Sequence, residues 1–358
     1  MPIEIFPITK VYVAAPANVA TGGPELLHQL VYHLRRKLNV NAYMYYIPND
    51  YRNPVHSEYK QYNNPFVRNI EDSDKNILVV PEIISGIRVL QNYHRIKKII
   101  WWLSVDNFYL SFILDPKKNL FLPRAINKLI FLLFKRRIFD IQALAYQKIR
   151  KNQINLNKFM AIKNADYHFA QSYYAIKHLE ENGIEKNKIF YLSDCLNEEF
   201  LKIQTNLSKK ENTVVFNPKK GFSFTKEIMI YSKGIKFIPL INMTREEVIE
   251  TLQGAKVYID FGTHPGKDRI PKEAAILGCC VIVGKRGSAK FYEDVPIPEE
   301  YKFNIEEKNI PKIRDKIKEC LTDYKRKYED FNKYREIIRE EPNKFLQDLH
   351  KIFVIESK

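Results

Sequence analysis

No two of the four cysteines, Cys195, Cys279, Cys280 and Cys320, form a C-x-x-C pair, and a chain of 358 residues with so few is not a disulfide scaffold. They are read as reduced thiols. Long apolar runs are also missing: no stretch reaches the roughly 18 uninterrupted apolar residues that a spanning helix needs. The opening MPIEIFPITK lacks a basic region followed by an apolar one, so a secretory signal is not expected and the cytoplasm is the expected location. No repeat of solenoid length is visible. Nor is there an RNP, KH or zinc-finger pattern, which counts against a basic nucleic-acid-binding protein, the class that a net charge of +16 with 22 Tyr and 22 Phe would otherwise suggest.

What is present is an ordinary globular composition, 45% hydrophobic and 28% charged. The length favours two domains. The excess of cations calls for an anionic partner, whether nucleic acid, an anionic bilayer surface or a phosphorylated substrate. One segment is basic throughout. Between Asp115 and Asp140 stand Lys117, Lys118, Arg124, Lys128, Lys135, Arg136 and Arg137, with no acid among them and an apolar run at 129–134. Two readings of it stand: a helix lying in the headgroup layer of an anionic membrane, or a core helix whose ends snorkel cations into water.

Periodicity predicts alternating strands and helices. Strands are expected at 10–15, 41–47, 76–80, 99–105, 167–171 and 188–192, with the first followed by a glycine-containing turn and a helix at 25–38. Residues 197–212 are polar and lysine-rich and separate this series from a second, with strands at 213–216, 235–241, 256–261 and 280–283. Thr244 and Glu247 have capping-box spacing at a helix start. The tail, 310–355, reads as helical. The expectation is therefore an α/β protein of two doubly wound parallel-sheet domains, 1–200 and 201–340, with a C-terminal helix at 341–358 that packs back on the first.

The stretch 258–289, YIDFGTHPGKDRIPKEAAILGCCVIVGKRGSA, reads as strand, glycine loop, helix, strand and second glycine loop. In open α/β sheets, ligands sit beyond the carboxyl ends of strands, where both loops fall. A helix opening near Pro271 puts Glu273 in its first turn, either as an acceptor for two ribose hydroxyls or as an acid answering the helix dipole. Lys267 and Arg269 suit neutralisation of a diphosphate leaving group, or a solvated loop. Gly284, Gly287 and Ser288 offer donors to phosphate, or a plain turn. Gly22 and Gly23, between a strand and an amphipathic helix, let the backbone approach a phosphate or sugar closely.

In order and spacing, these features resemble the donor half of retaining GT-B glycosyltransferases of the family 4 type. The match runs through Glu273, Ala274, Ala275, Gly278 and the strand 280–283. ATGGPELL (20–27) looks like that family's glycine loop, NPKKG (217–221) like its basic donor-phosphate loop, and FAQS (169–172) and YLSDCLN (191–197) like the last elements of its first domain. One departure is plain: the family's paired glutamate eight positions before Glu273 is Pro265 here, with His264 and Asp268 as the candidates to fill its place. The family's first-domain histidine is also not evident, and Asp106 is the candidate there, either as a catalytic group or as a simple turn residue.

The resemblance implies transfer of a sugar from a nucleotide-diphosphate donor, a UDP- or GDP-sugar bound between the domains, to the hydroxyl of a glycan or lipid-linked acceptor in capsule or lipopolysaccharide assembly, with retention. Asp106, His264, Asp268, Lys220 and Arg269 are the expected catalytic residues. The expected donor ligands are Gly22, Gly23, Asn217, Lys219, Lys220, Lys267, Arg269, Glu273, Gly287 and Ser288. No Asp-x-Asp metal motif is read in the sequence and no cofactor is expected; fixed cations can replace a metal, so metal-independent catalysis is the expectation. With the basic segment, the expectation extends to peripheral attachment at the inner face of the cell membrane. The rival readings are a sugar-nucleotide epimerase or hydrolase on the same scaffold and, in another class, a nucleic-acid-binding protein.

Overall fold

The β-branched and aromatic runs of the N-terminal half pair into one parallel sheet. The computed structural model describes residues 2–114, 130, 156 and 159–356. After β1 (Ile3–Ile5) come β2 (Lys10–Pro16), β3 (Asn41–Ile47), β4 (Phe66–Val67), β5 (Ile77–Pro81), β6 (Lys97–Trp102), β7 (Tyr167–Ala170) and β8 (Ile189–Tyr191). The sheet order is β4-β3-β2-β5-β6-β7-β8, parallel at every pairing. Central β5, Ile-Leu-Val-Val-Pro, is buried along its whole length, as a strand covered on both faces must be. β3, nearer the edge, alternates, with Ala42, Met44 and Tyr46 buried. Leu26, Leu27, Leu30, Val31 and Leu34 form the buried stripe of the helix Gly22–Arg36.

The second sheet contains β9 (Glu211–Phe216), β10 (Lys236–Pro239), β11 (Ala255–Asp260), β12 (Cys280–Gly284) and β13 (Lys302–Phe303). Its order is β10-β9-β11-β12-β13, again all parallel. The helix Arg245–Gly254 starts at the capping box expected from the sequence: the Glu247 N–H donates to the Thr244 hydroxyl at 3.3 Å and the Thr244 N–H to Glu247 Oε2 at 2.6 Å.

The described residues fall into two compact units. The first comprises those within Met1–Gln171, Ala175–Leu192 and Asp348–Lys358; the second comprises Ser172–Tyr174 and Ser193–Gln347. Residues 197–212, read as a linker, contain the short helix Glu198–Lys202 and a 3-10 turn at Leu207–Lys209. The tail is helical over Ile310–Thr322, Tyr324–Glu329 and Asn332–Ile352 but not to 355 as expected: Phe353–Ile355 is a strand, β14, parallel to β1. All four cysteines are free thiols and buried. Among the described residues, no helix is long and apolar enough to cross a membrane. The basic segment 115–140 lies outside the described residues, except for Ile130.

The chain does contain an Asp-x-Asp spacing, at Asp72 and Asp74, ahead of β5. Its carboxylates serve the fold: Asp72 accepts the N–H groups of His94, Arg95 and Ile96 at 2.9 Å each, and Asp74 faces Arg95.

One buried cation ties together the end of the second sheet opposite the carboxyl ends of its strands. Lys210, 8% exposed, donates from Nζ to the carbonyls of Leu252, Ala255 and Leu277 at 2.9, 2.7 and 2.7 Å. These carbonyls close the helices Arg245–Gly254 and Arg269–Ile276, where a positive charge answers the dipole and satisfies orphaned acceptors. Gly278 makes room for it: at φ +91°, a Cβ there would meet Lys210 Cε at 3.0 Å. Lys210→Met removes the charge and three hydrogen bonds, leaving the Leu252 and Ala255 carbonyls to the weak Cys279 thiol donor and the Ala255 N–H, and should destabilise the protein by roughly 2–4 kcal/mol, read as a lower denaturation midpoint. The exposed Lys202→Met should leave the midpoint unchanged. Equal midpoints for both variants would contradict the role given to Lys210.

Candidate functional site

In the second sheet, the chain passes from β9 outward to β10 and returns to β11 on the other side, so the strand order reverses between β9 and β11. Loops leaving the carboxyl ends of such a pair diverge and open the crevice in which doubly wound folds bind ligands. Here they are 217–221 and 261–268. Glycine fits them together. Gly221 sits at φ +63°, where a Cβ would lie 2.2 Å from the carbonyl oxygen of Phe261, and a Cβ on Gly262 would lie 2.7 Å from Lys220 Cβ. The loop after β12 closes on them from the other side: a Cβ on Gly287, at φ +49°, would stand 1.9 Å from the carbonyl oxygen of His264. Ser288 is fully buried, donating its N–H to that carbonyl at 2.9 Å and its hydroxyl to the Gly266 carbonyl at 2.7 Å.

His264 is buried and itself in the left-handed region, at φ 45°, a conformation a non-glycine residue adopts only when its surroundings fix it. Its Nδ1 is 3.2 Å from Asp268 Oδ2, and its Nε2 is 3.2 Å from the Asp260 carbonyl oxygen and 3.6 Å from Asp260 Oδ1. Both ring nitrogens thus face oxygen acceptors, an arrangement that suits the doubly protonated imidazolium. Burial pulls its pKa down, but the charge of Asp260 and the bond and charge of Asp268 outweigh that, and it ends above the ordinary imidazole value. Asp260 is held in turn by the Tyr258 hydroxyl at 3.0 Å and the Gly262 N–H at 2.8 Å. Asp268 is partly buried. Desolvation raises its pKa, yet Lys220 and His264 hold it down at about 2.

Asp260, His264 and Asp268 bring one potential metal-ligand atom each within 4.8 Å of one another. The ring stands between the two aspartates as in a clamp, with Nδ1 toward the Asp268 carboxylate and Nε2 toward the Asp260 carbonyl and carboxylate.

Lys220 Nζ lies 3.0 Å from Asp268 Oδ1, its side chain one-third exposed. Asn217 shapes the loop by accepting the Lys219 N–H at 3.0 Å, while Lys219 is exposed. Lys267 turns inward, with Nζ 3.6 Å from Asp194 Oδ1. The next helix, Arg269–Ile276, starts two residues before Pro271, with Asp268 as its N-cap residue. Proline still falls in the first turn, but Glu273, half-buried, is the fifth residue and lies beyond it, so the sequence expectation of a first-turn acid is corrected. A dipole-answering role for Glu273 loses its main support, because the effect fades past the first turn.

The other expected residues lie in the first unit. Gly22 and Gly23 open the helix Gly22–Arg36 after β2, next to that sheet's own order reversal between β2 and β5. A Cβ on Gly23 would approach Leu103 Cδ1 only to 3.4 Å, an ordinary contact. Asp106 is the second residue of the helix Val105–Ile113, whose N-cap Ser104 accepts the Asn107 N–H at 3.3 Å. Sequence reasoning missed Glu82, a buried acid just after β5 whose carboxylate accepts the Leu103 N–H at 3.0 Å and which burial pushes up to about 8. It also missed the buried charges Asp194, Lys272 and Glu341.

No family model and no curated protein matches the sequence. Solved structures do match. HepE of Anabaena, solved with UDP-glucose, is similar with a TM-score of 0.59 at 11% identity, covering 95% of this chain and 98% of its own. Sucrose-phosphate synthase of Thermosynechococcus elongatus gives 0.62 at 11% identity over 96% of this chain and 98% of its own. The chain has the GT-B fold. The lipopolysaccharide outer core galactosyltransferase WaaB, in its apo form, is similar at 0.53 and 9% identity over 96% of this chain and 99% of its own. At such identities the GT-B scaffold is what is shared, with its two doubly wound parallel sheets.

The clamp predicts a sorted set of histidines. His28, His168 and His178 are lowered to about 4 by burial, whereas His264 is raised. The stability His264 contributes is present below the ordinary imidazole pKa of about 6.5 and is lost as pH rises through its higher folded value. In a histidine NMR titration, His264 should titrate above 6.5 while the other three stay neutral down to about pH 4. A His264 midpoint below 6.5 would refute the clamp.

Proposed function

We propose that this GT-B chain is a glycosyltransferase, moving a sugar from a nucleotide-diphosphate donor to a hydroxyl of a glycan or lipid-linked acceptor in cell-surface polysaccharide assembly. The observation that carries the reading is the set of glycine-fitted loops at the β9/β11 reversal, where Lys220 and the start of the helix Arg269–Ile276 meet. Donors and cations gathered at a strand-order reversal suit a diphosphate. HepE, solved with UDP-glucose, and WaaB, a galactosyltransferase of the lipopolysaccharide outer core, support the choice of donor class and acceptor setting.

In the proposed reaction, the bond between the anomeric carbon and the donor phosphate breaks, and a bond to the acceptor oxygen forms. The acceptor proton leaves to solvent or to a base, for which Asp106 is the candidate. Negative charge grows on the departing diphosphate, where Lys220 and Arg269, with Lys219 at the rim, stabilise it as fixed cations. This division of labour favours a metal-independent reaction. Glu273 accepts ribose hydroxyls, and Asn217 shapes the phosphate loop. His264 and Asp268 frame the sugar side, where the family's first glutamate is absent, while Gly287 and Ser288 hold that loop in place. Gly22 and Gly23 belong to the acceptor side. Retention of configuration and attachment to an anionic membrane through residues 115–140 belong to the same proposal.

A thermal-shift screen against UDP- and GDP-sugars tests donor binding, since a ligand at 100 times its Kd stabilises by roughly 2.7 kcal/mol. With the donor identified, Lys220→Ala and Arg269→Ala should each lower turnover by about one to three orders of magnitude. Full activity in both variants would sink the assignment. An altered sugar nucleotide with no glycosylated acceptor would favour an epimerase or hydrolase instead.

A further inference from the structure

Four charged side chains meet inside the second unit. Lys272 Nζ lies 2.6 Å from Asp194 Oδ2 and 2.8 and 3.0 Å from the two carboxylate oxygens of Glu341. Lys267 Nζ approaches the other oxygen of Asp194 at 3.6 Å. The side chains of Asp194, Lys272, Glu341 and Lys267 are 0, 2, 6 and 8% exposed. They come from four places along the chain: the segment after β8, the loop 261–268, the helix Arg269–Ile276 and the helix Asn332–Ile352.

Two acids and two lysines balance one another, which a buried charge requires. Well-packed apolar side chains of similar volume would often give a core no less stable. Stability is therefore a weak reason for the network, and geometry is a better one. Apolar contacts are non-directional and tolerate small rotations of a helix about its axis, whereas a lysine engaged by three oxygens at 2.6 to 3.0 Å permits one rotation. Lys272 lies one turn after Arg269 and directly before Glu273; Lys267 directly precedes Asp268. The buried lysines thus bracket the residues assigned to the donor.

We propose that Glu341, acting through Lys272 and Asp194, is a positioning residue for the donor site, fixing the helix Arg269–Ile276 in the rotation that presents Arg269 and Glu273 to the ligand. This rests on the proposed function. Glu341 is also the member of the network most open to titration. Burial drives its carboxyl up to about 7 against the pull of Lys272, while Asp194, despite its burial, is held at about 2 by Lys272 and Lys267. The charged and titratable groups facing Glu341 are Lys272, Asp194, Lys267, Tyr334 and Cys195. Protonation of Glu341 below about pH 7 loosens the hold on Lys272, so nucleotide affinity falls as pH drops through that value.

The test uses the full chain and its Glu341→Gln variant, with UDP and GDP as calorimetric probes from pH 6 to 8.5 and hydrogen exchange on both proteins without ligand. At pH 8, the variant should bind the nucleotide roughly tenfold more weakly and lose the pH dependence. Donor KM should rise and kcat should fall with it, because a rotated helix moves Arg269 off the leaving group as well as Glu273 off the ribose. Amides of the helix Arg269–Ile276 should exchange faster while those of Ile310–Thr322 do not. Wild-type affinity at pH 8 in the variant, or unchanged exchange in the donor helix, would overturn the proposal. If neither protein binds either nucleotide but the donor helix exchanges faster in the variant, the donor reading fails and the positioning of the helix stands.

Discussion

Asp260 and Asp268 face opposite edges of one buried imidazole, and the loop that carries all three depends on that arrangement. His264 adopts a left-handed backbone because its ring is held by oxygens on both sides and its carbonyl by the N–H of Ser288. The same contact leaves no room for a side chain at Gly287. If the ring lost its charge, one of its two partners would face a lone pair, and the loop would lose the restraint that sets Asp268 against Lys220.

Charge at this end of the sheet is arranged in two layers. Outward, Lys220 is partly exposed and engaged by Asp268. Inward, Lys267 and Lys272 are taken up by Asp194 and Glu341. Burial separates these lysines into one that is partly exposed and two that are enclosed with Asp194. A diphosphate binding at the loops would share Lys220 with Asp268, whose other oxygen stays with His264. The cation is thereby held in place before the ligand arrives, which lowers the ordering cost of binding.

The legible parts of this fold were those with local causes. The alternation in residues 41–47 matches β3, and the Thr244 and Glu247 pair marks its helix start because the cap is completed within four residues. The run of apolar residues at 280–283 and the positions of Gly221 and Gly287 follow from period and from the backbone freedom of glycine. What stayed hidden depends on partners distant in sequence. β1 and β14 are three residues each, and each exists as a strand because the other end of the chain supplies its hydrogen bonds. Lys272 meets Asp194 across 78 positions and Glu341 across 69, so no spacing rule could join them. Glu82 follows directly on β5, whose closing Pro81 reads as the end of a strand. Pro271 suggested a helix start at 271, although proline is tolerated anywhere in the first turn and the helix begins at Arg269.

The central claim is that a nucleotide diphosphate is held at the reversal of the second sheet, between the loops after β9 and β11. A crystal structure determined with a nucleoside diphosphate tests it most directly. The account predicts the diphosphate beside the carboxyl ends of β9 and β11, with Lys220 Nζ in hydrogen-bond range of its oxygens and Glu273 at the ribose. Nucleotide seated elsewhere, with Lys220 still paired only to Asp268, would contradict it.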